Sequence, residues 1–205
     1  MSDPDLPGIL EFIRSAERLK TTLRSAHTST GEPESVAEHS WRLSLMALLF
    51  RDALPGIDLG RLLSLCVIHD LGEALGGDVP APEQARLRAE GNETGKANAE
   101  RRDLVALLQP LPDARRSEIL DLWDEYEAAS SPEARLAKAL DKLETILQHT
   151  QGRNPPGFDH TFNLTYGRQY TEDPDVIAAL RTLLDGETAR RVAENGISSL
   201  PDDRI

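Results

Sequence analysis

Apolar residues recur at helical spacing along almost the whole chain, and no stretch sustains an alternation of period two. Ile9, Phe12, Ile13, Ala16, Leu19 and Leu23 fall near one face of a first helix, which Pro7 opens and which runs to about Ser25. Ser35-Val36-Ala37-Glu38 has capping-box spacing and starts a second helix, with Val36, Leu43, Met46 and Phe50 as its apolar stripe. Asp58 caps a third helix that reaches about Leu75 and is closed by Gly76-Gly77. Residues 76–95, with Pro80, Pro82 and Gly-Asn-Glu-Thr-Gly, predict a long loop carrying at most a short helix. Helices follow at about 96–108, 113–128 and 132–149, the last with Ser131 as cap and Pro132 at its first position. Residues 150–173 are rich in Gly, Pro and Asn, and a helix over about 174–184 precedes a polar tail from 186 to 205. The pattern predicts an all-α fold, a single domain over 1–205 with its core at 9–184, built as an irregular helical bundle.

Charge and cysteine content narrow the function classes. A net charge of −12, from 35 acidic against 23 basic residues, repels a phosphate backbone and argues against a nucleic-acid polymer as partner. A small anionic substrate stays open, because a metal ion and one arginine can reverse the potential locally. The single cysteine, Cys66, cannot form an internal disulfide or a cysteine-rich metal cluster. Met1-Ser2-Asp3-Pro4-Asp5 lacks the basic and apolar regions of a signal peptide, and the apolar runs near 43–50 and 62–71 are too short to span a bilayer. A cytoplasmic protein with no membrane partner is expected.

The candidate chemistry lies where polar residues interrupt apolar ones. His69 and Asp70 break the run from Leu62 to Leu71, and a helix apolar on nearly all sides is a buried helix. A desolvated carboxylate there needs a partner or a metal. Glu73 follows His69 by four residues and Asp70 by three, which puts it on the same side one turn later. His39 occupies a core slot, three residues after Val36 and four before Leu43, whereas the capping box accounts for its neighbour Glu38. Two histidines with an adjacent aspartate offer nitrogen and oxygen donors from two helices. Asp141 is the candidate fourth donor, and its alternative is a surface pair with Lys138 three residues earlier. Such a mixed set suits Mn²⁺, Fe²⁺, Co²⁺, Ni²⁺ or Zn²⁺ better than an all-oxygen cage for Ca²⁺ or Mg²⁺. A metal so held polarises a phosphoryl oxygen and lowers the pKa of its water.

These residues resemble the HD superfamily of metal-dependent phosphohydrolases, and within it the HD-domain 5′-deoxynucleotidases. The matching stretches are Pro33-Glu34-Ser35-Val36-Ala37-Glu38-His39-Ser40, His69-Asp70-Leu71-Gly72-Glu73 with Gly77-Asp78-Val79-Pro80, and Leu122-Trp123-Asp124-Glu125-Tyr126-Glu127 leading to Leu140-Asp141-Lys142. The resemblance runs with gaps from about Ile9 to Leu184. It implies one divalent metal (Mn, Co, Mg, Fe, Ni or Zn) held by His39, His69, Asp70 and Asp141, and hydrolysis of deoxyribonucleoside 5′-monophosphates to deoxynucleoside and phosphate. It further implies that Glu73 orients or deprotonates the attacking water. Arg24, placed on the first helix, would orient the phosphate, a task that suits a guanidinium fork. Asp78, Val79, Pro80 and Ala81 would meet the sugar side of the substrate, and the protein would form a homodimer. The family's tryptophan near that arginine is missing from Arg24-Ser25-Ala26-His27-Thr28-Ser29-Thr30, and His27 is either its stand-in or an exposed turn residue. The alternatives are an HD phosphohydrolase for a ribonucleotide or cyclic nucleotide, and a non-catalytic helical interaction module.

Other features read as structural. Phe158, Phe162, Tyr166 and Tyr170, spaced every four residues, either dock a short helix on the core or serve base stacking or a dimer contact. His149 and His160 are expected in solvent, Cys66 in the core, and the charged segment near 86–102 on a solvated helical face.

Overall fold

The computed structural model of the chain describes residues 5–91 and 93–198. Its helices are α1 (Leu6–Ala16), α2 (Val36–Phe50), α3 (Leu59–Ile68), α4 (Glu73–Gly76), α5 (Ala81–Ala89), α6 (Glu93–Leu107), α7 (Asp113–Ala128), α8 (Pro132–Gln151) and α9 (Asp175–Ser198). A hairpin of β1 (Leu23–His27) and β2 (Pro33–Ser35) lies between α1 and α2. The expected caps are present. The Ser35 side chain accepts from the Glu38 amide and the Glu38 carboxylate from the Ser35 amide, Asp58 accepts from the Arg61 amide, and Ser131 from that of Ala134.

α8 is the spine, with fifteen of its twenty residues buried. Leu140, Leu143 and Ile146 of α8 pack with Leu43 of α2, Leu62 and Leu65 of α3 and Ile177 of α9 in one core cluster. A second cluster gathers Leu19, Val36, Ile68, Leu104, Leu108 and Trp123. Trp123 Nε1 donates to the His69 carbonyl at 3.1 Å, which pins the end of α3 to α7.

The all-α class holds, with local departures that each have a physical cause. The first helix ends at Ala16, and Arg24 lies on β1, not on a helix. This hairpin is too short to show an alternation, since β1 has five residues and β2 three, with irregular register between Leu23↔Ser35 and His27↔Pro33. It rests on the end of α8. Gln148 Nε2 donates to the His27 carbonyl, and a Cβ at Gly152 would lie 2.1 Å from that same oxygen. The third helix stops at Ile68, and tight turns carry the chain through His69–Gly72 into α4. Gly72 is needed there because a Cβ would sit 2.8 Å from the Glu100 carbonyl of α6.

The segment 76–95 contains a full helix, α5, because Pro82 falls within its first turn, where a missing amide costs nothing. The polar tail is instead the continuation of α9 to Ser198; residues 199–205 lie outside the described residues. Its polar positions also face inward: Thr188 is fully buried, and Arg191 Nε donates to the Thr150 carbonyl at 2.7 Å.

His149 and His160 are buried, contrary to expectation. The loop after α8 folds back over that helix, and Phe158 packs against both rings at 4.9 and 5.0 Å between centroids. His149 Nδ1 lies 2.7 Å from Asn163 Oδ1, which places its proton on that nitrogen. Burial lowers the His149 pKa from 6.5 to about 4. The unfolded chain therefore takes up a proton below pH 6.5 that the folded chain refuses until about pH 4. Stability carried by the neutral ring is present above pH 6.5 and lost as pH falls through this window. His149→Gln keeps a donor for Asn163, so its unfolding free energy in urea titrations is expected to decline less between pH 6.5 and 4 than that of the parent chain, by up to roughly 3 kcal/mol.

Candidate metal centre and its cavity

Four side chains from three segments converge beside α8. His39 comes from the first turn of α2, His69 and Asp70 from the turn after α3, and Asp141 from the middle of α8. One donor atom each of His39, His69 and Asp70 lies within 4.8 Å of the others. His39 Nε2 is 3.3 Å from Asp141 Oδ1 and 3.8 Å from Asp70 Oδ2, and His69 Nε2 is 3.0 Å from Asp70 Oδ2.

The other nitrogen of each ring is already engaged. His69 Nδ1 lies 2.9 Å from the Cys66 carbonyl, so it must carry the proton. His39 Nδ1 contacts Glu144 Oε2, a buried carboxylate. Both Nε2 atoms are buried and make no hydrogen bond. Two imidazole lone pairs aimed at two carboxylates, with both Nδ1 positions anchored, are the arrangement in which histidines bind a divalent cation. The residues fit a metal ion.

Asp141 is fixed in the same way. Its Oδ2 accepts from Tyr126 Oη at 2.8 Å and from Lys142 Nζ at 2.7 Å, leaving Oδ1 for the centre. Burial resists its charge, but Lys142 and the nearby His39 ring outweigh this and hold its pKa well below the usual carboxylate range. A surface pair with Lys138 is not what forms: Asp141 is buried, and Lys138 Nζ pairs with Glu127 at 3.2 Å. His39 shows the converse balance. Burial and the Arg24 charge oppose its protonation, yet Glu144 and Asp141 raise its pKa to about 9. The carboxylates around His39 thus favour positive charge at the centre of the cluster.

His69, Asp70 and Asp141 open onto a cavity whose walls include Arg24, Glu73, Asp78, Lys96, Lys142 and Tyr170, while His39 is buried behind them and does not reach its lining. Arg24 enters from β1. Its Nη2 donates to Thr145 Oγ1 at 3.1 Å, and its Nη1 stands 3.7 Å from Asp70 Oδ2. Glu73, at the start of α4, is 4% exposed, and its Oε2 is buried without a hydrogen-bond partner. Burial, together with the charges of Asp70 and Asp78, raises its pKa well above the usual value. The cavity thus holds the Arg24 guanidinium and the Glu73 carboxyl, whose Oε2 makes no hydrogen bond, beside the cluster of donors.

The HD-domain family profile matches residues 16–181. The chain belongs to the HD-domain family. It is 34% identical over 206 residues to the 5′-deoxynucleotidase HDDC2 of Danio rerio, with 98% of each chain covered. It is 35% identical over 147 residues to the 5′-deoxynucleotidase hdd1 of Schizosaccharomyces pombe, covering 69% of this chain and 70% of that one. Among solved structures, it is similar to a predicted metal-dependent phosphohydrolase from Magnetospirillum magnetotacticum MS-1. That chain has a TM-score of 0.78 at 28% identity, with 92% of this chain and 94% of the other covered.

Not every expected site residue reaches the cavity wall of this HD domain. Asp78 and Ala81 line it with Glu73, but Val79 and Pro80 are not part of the lining. The Val79 carbonyl instead accepts from Gln84 Nε2 at 2.7 Å, and Pro80 is exposed. The charged face near 86–102 is only partly solvated, since Lys96 and Glu100 turn inward to the cavity. Of the spaced aromatics, Tyr166 and Tyr170 line the cavity, whereas Phe158 packs on His149 and His160. His27 is half-buried at the end of β1, away from the lining. Cys66 is fully buried, and burial pushes its thiol up to about 12, as suits a core residue.

Glu144, Tyr126 and Lys142 were not singled out from pattern. Glu144 had a signal, since it follows Asp141 by three residues and Leu140 by four and so falls on the inward face of α8. The geometry predicts that Asp70→Ala abolishes stoichiometric Mn²⁺ binding, measured by elemental analysis after dialysis. Tyr126→Phe, which frees Asp141 Oδ2 to rotate, is expected to weaken Mn²⁺ affinity by about tenfold without changing the fold seen by circular dichroism.

Proposed function

We propose that this HD-domain chain is a metal-dependent phosphomonoesterase that hydrolyses deoxyribonucleoside 5′-monophosphates to deoxynucleoside and inorganic phosphate. One observation carries the reading. His69, Asp70 and Asp141, with His39 buried behind them, border a cavity that also holds a guanidinium and an unpartnered carboxyl, the complement needed to hold a phosphoryl group and to direct water at it. The names of the relatives supply the substrate class.

His39, His69, Asp70 and Asp141 would hold the ion. The mixed nitrogen and oxygen donors favour Mn²⁺, Fe²⁺, Co²⁺, Ni²⁺ or Zn²⁺ over Mg²⁺. When bound, the ion supplies Lewis-acid polarisation of the phosphoryl group and a more acidic water. Arg24, braced by Thr145 on one side, offers its remaining donors to the phosphate oxygens. Glu73 takes the proton of the attacking water at Oε2, its unpartnered oxygen, and positions that water in line with the leaving 5′-oxygen. Asp78 and Ala81 flank the sugar side. A homodimer in a cytoplasmic setting accompanies this reading, and equilibrium sedimentation checks the assembly.

Chelator-stripped protein reloaded with Mn²⁺ or Co²⁺ is expected to release phosphate from dAMP, dGMP, dCMP, dTMP and dUMP faster than from the matching ribonucleotides. Equal rates on the ribonucleotides, or release only from a cyclic nucleotide, would replace deoxynucleotides as the substrate class. Glu73→Ala is expected to retain the metal and lose turnover by roughly 10²–10⁴-fold, the usual contribution of a positioned base. Full turnover in the metal-loaded variant would remove Glu73 from the role of base.

A further inference from the structure

Beneath the donor set lies a second group of charged side chains that the proposed chemistry does not use. Glu144 is fully buried and Glu34 is 3% exposed. Glu144 Oε2 accepts from His39 Nδ1, while its Oε1 accepts from Arg42 Nε at 2.7 Å, with Arg42 Nη2 at 2.5 Å. The same Arg42 Nη2 stands 3.7 Å from Glu34 Oε1, and Glu34 Oε2 stands 3.3 Å from Arg24 Nε. Acid and base alternate along this path, from His39 through Glu144, Arg42 and Glu34 to Arg24.

One alternative for the cluster can be set aside on geometry. Donor atoms of Glu34, His39 and Glu144 lie within 4.8 Å of one another, a spacing compatible with a second cation. Both carboxylates, however, already face guanidinium groups, and His39 directs Nδ1, not its lone pair on Nε2, towards Glu144. Two arginines occupy the electrostatic position that a second ion would take.

We propose that Glu34, Arg42 and Glu144 are positioning residues that lock His39 and Arg24 in register, so that the metal-facing nitrogen and the phosphate-facing guanidinium are set by one buried chain of ion pairs. Each end has a distinct task. Glu144 fixes the rotation of the His39 ring and raises the basicity of Nε2. Glu34 Oε2 faces Arg24 Nε as an ion pair at 3.3 Å without a hydrogen bond, and Thr145 accepts from Nη2, which leaves Nη1 facing Asp70 and the cavity. Arg42 joins the ends, because a single guanidinium faces both carboxylates. The chain crosses from α2 and β2 to α8 and so couples the hairpin that carries Arg24 to the helices that carry the metal donors.

This inference rests on Arg24 being the phosphate-binding group, but its test does not depend on the nucleotide. The probes are Mn²⁺ alone, measured by competition with a fluorescent chelator, and inorganic phosphate titrated calorimetrically into the Mn²⁺-loaded protein. Glu144→Gln is expected to weaken Mn²⁺ binding by about 10–100-fold, the range for loss of a carboxylate behind a ligating histidine. Glu34→Gln is expected to leave Mn²⁺ affinity unchanged and weaken phosphate binding by about tenfold, a change of one decade in Kd. Arg42→Lys, which keeps the charge but not the planar fork, is expected to weaken both. Glu144→Gln is also expected to weaken phosphate binding through Arg42, so in the double variant Glu34→Gln/Glu144→Gln the two effects on phosphate binding should be non-additive.

Thermal melts accompany each variant. Lowered melting temperatures with unchanged Mn²⁺ and phosphate affinities would make the chain a structural ion-pair network and overturn the proposal. Wild-type Mn²⁺ affinity in Glu144→Gln would overturn it equally. If the Mn²⁺ and phosphate results hold but no deoxynucleotide is hydrolysed, the positioning chain stands and the substrate assignment alone fails.

Discussion

The governing constraint is that α8 carries charged side chains through the interior, where each must find a partner or lose far more than it gains. Glu133 accepts from the Asp58 amide, Lys138 pairs with Glu127, Asp141 with Tyr126 and Lys142, and Glu144 with His39 and Arg42. Apart from Lys142 on α8 itself, these partners come from the start of α3, from α7 and from α2. Apolar packing alone would allow α8 to slide or rotate against its neighbours at modest cost. The buried pairs fix one rotation and one register, because any other leaves a carboxylate in the core without a counter-charge. Removing a single partner is therefore much more damaging than the net worth of the pair.

The same pairs set the chemistry of the cavity. Three of the four candidate donors have their second polar atom anchored by a group behind it: the Cys66 carbonyl for His69, Glu144 for His39, and Tyr126 with Lys142 for Asp141. The atoms left over point to one place. Such preorganisation keeps donors from turning to pair with one another, at the cost of a concentrated negative charge that a cation or a proton must offset. A chain of net charge −12 nonetheless places a guanidinium in this cavity, and Arg24 acts there at a few ångströms, whereas the surface acids act through water.

How much of this was legible depended on the range of the interactions involved. The ends of α2, α3 and α8 could be placed because Ser35, Asp58 and Ser131 act on amides three residues away. His39, His69 and Asp70 stood out because they interrupt apolar stripes, and interruption is a local signal. Asp141 was harder to place, since Lys138 nearby offered an equally good surface explanation. The hairpin carrying Arg24 left no periodic trace in five residues, and the inward faces of His149 and His160 depend on a loop that returns over α8 only in three dimensions. Glu34 and Arg42 are ordinary charged residues in sequence, and their partners lie on β1 and on α8.

By itself the sequence determined the helical class, the caps, the apolar stripes and the identity of the donor atoms, because these follow from residue type and spacing within a few turns. Tertiary structure decided which donors meet, which nitrogen of each ring faces the centre, and which carboxylate faces that centre and which stands behind His39. Those choices depend on counter-charges brought from distant segments into a space without water. Only there does an unpaired charge cost enough to select a single arrangement.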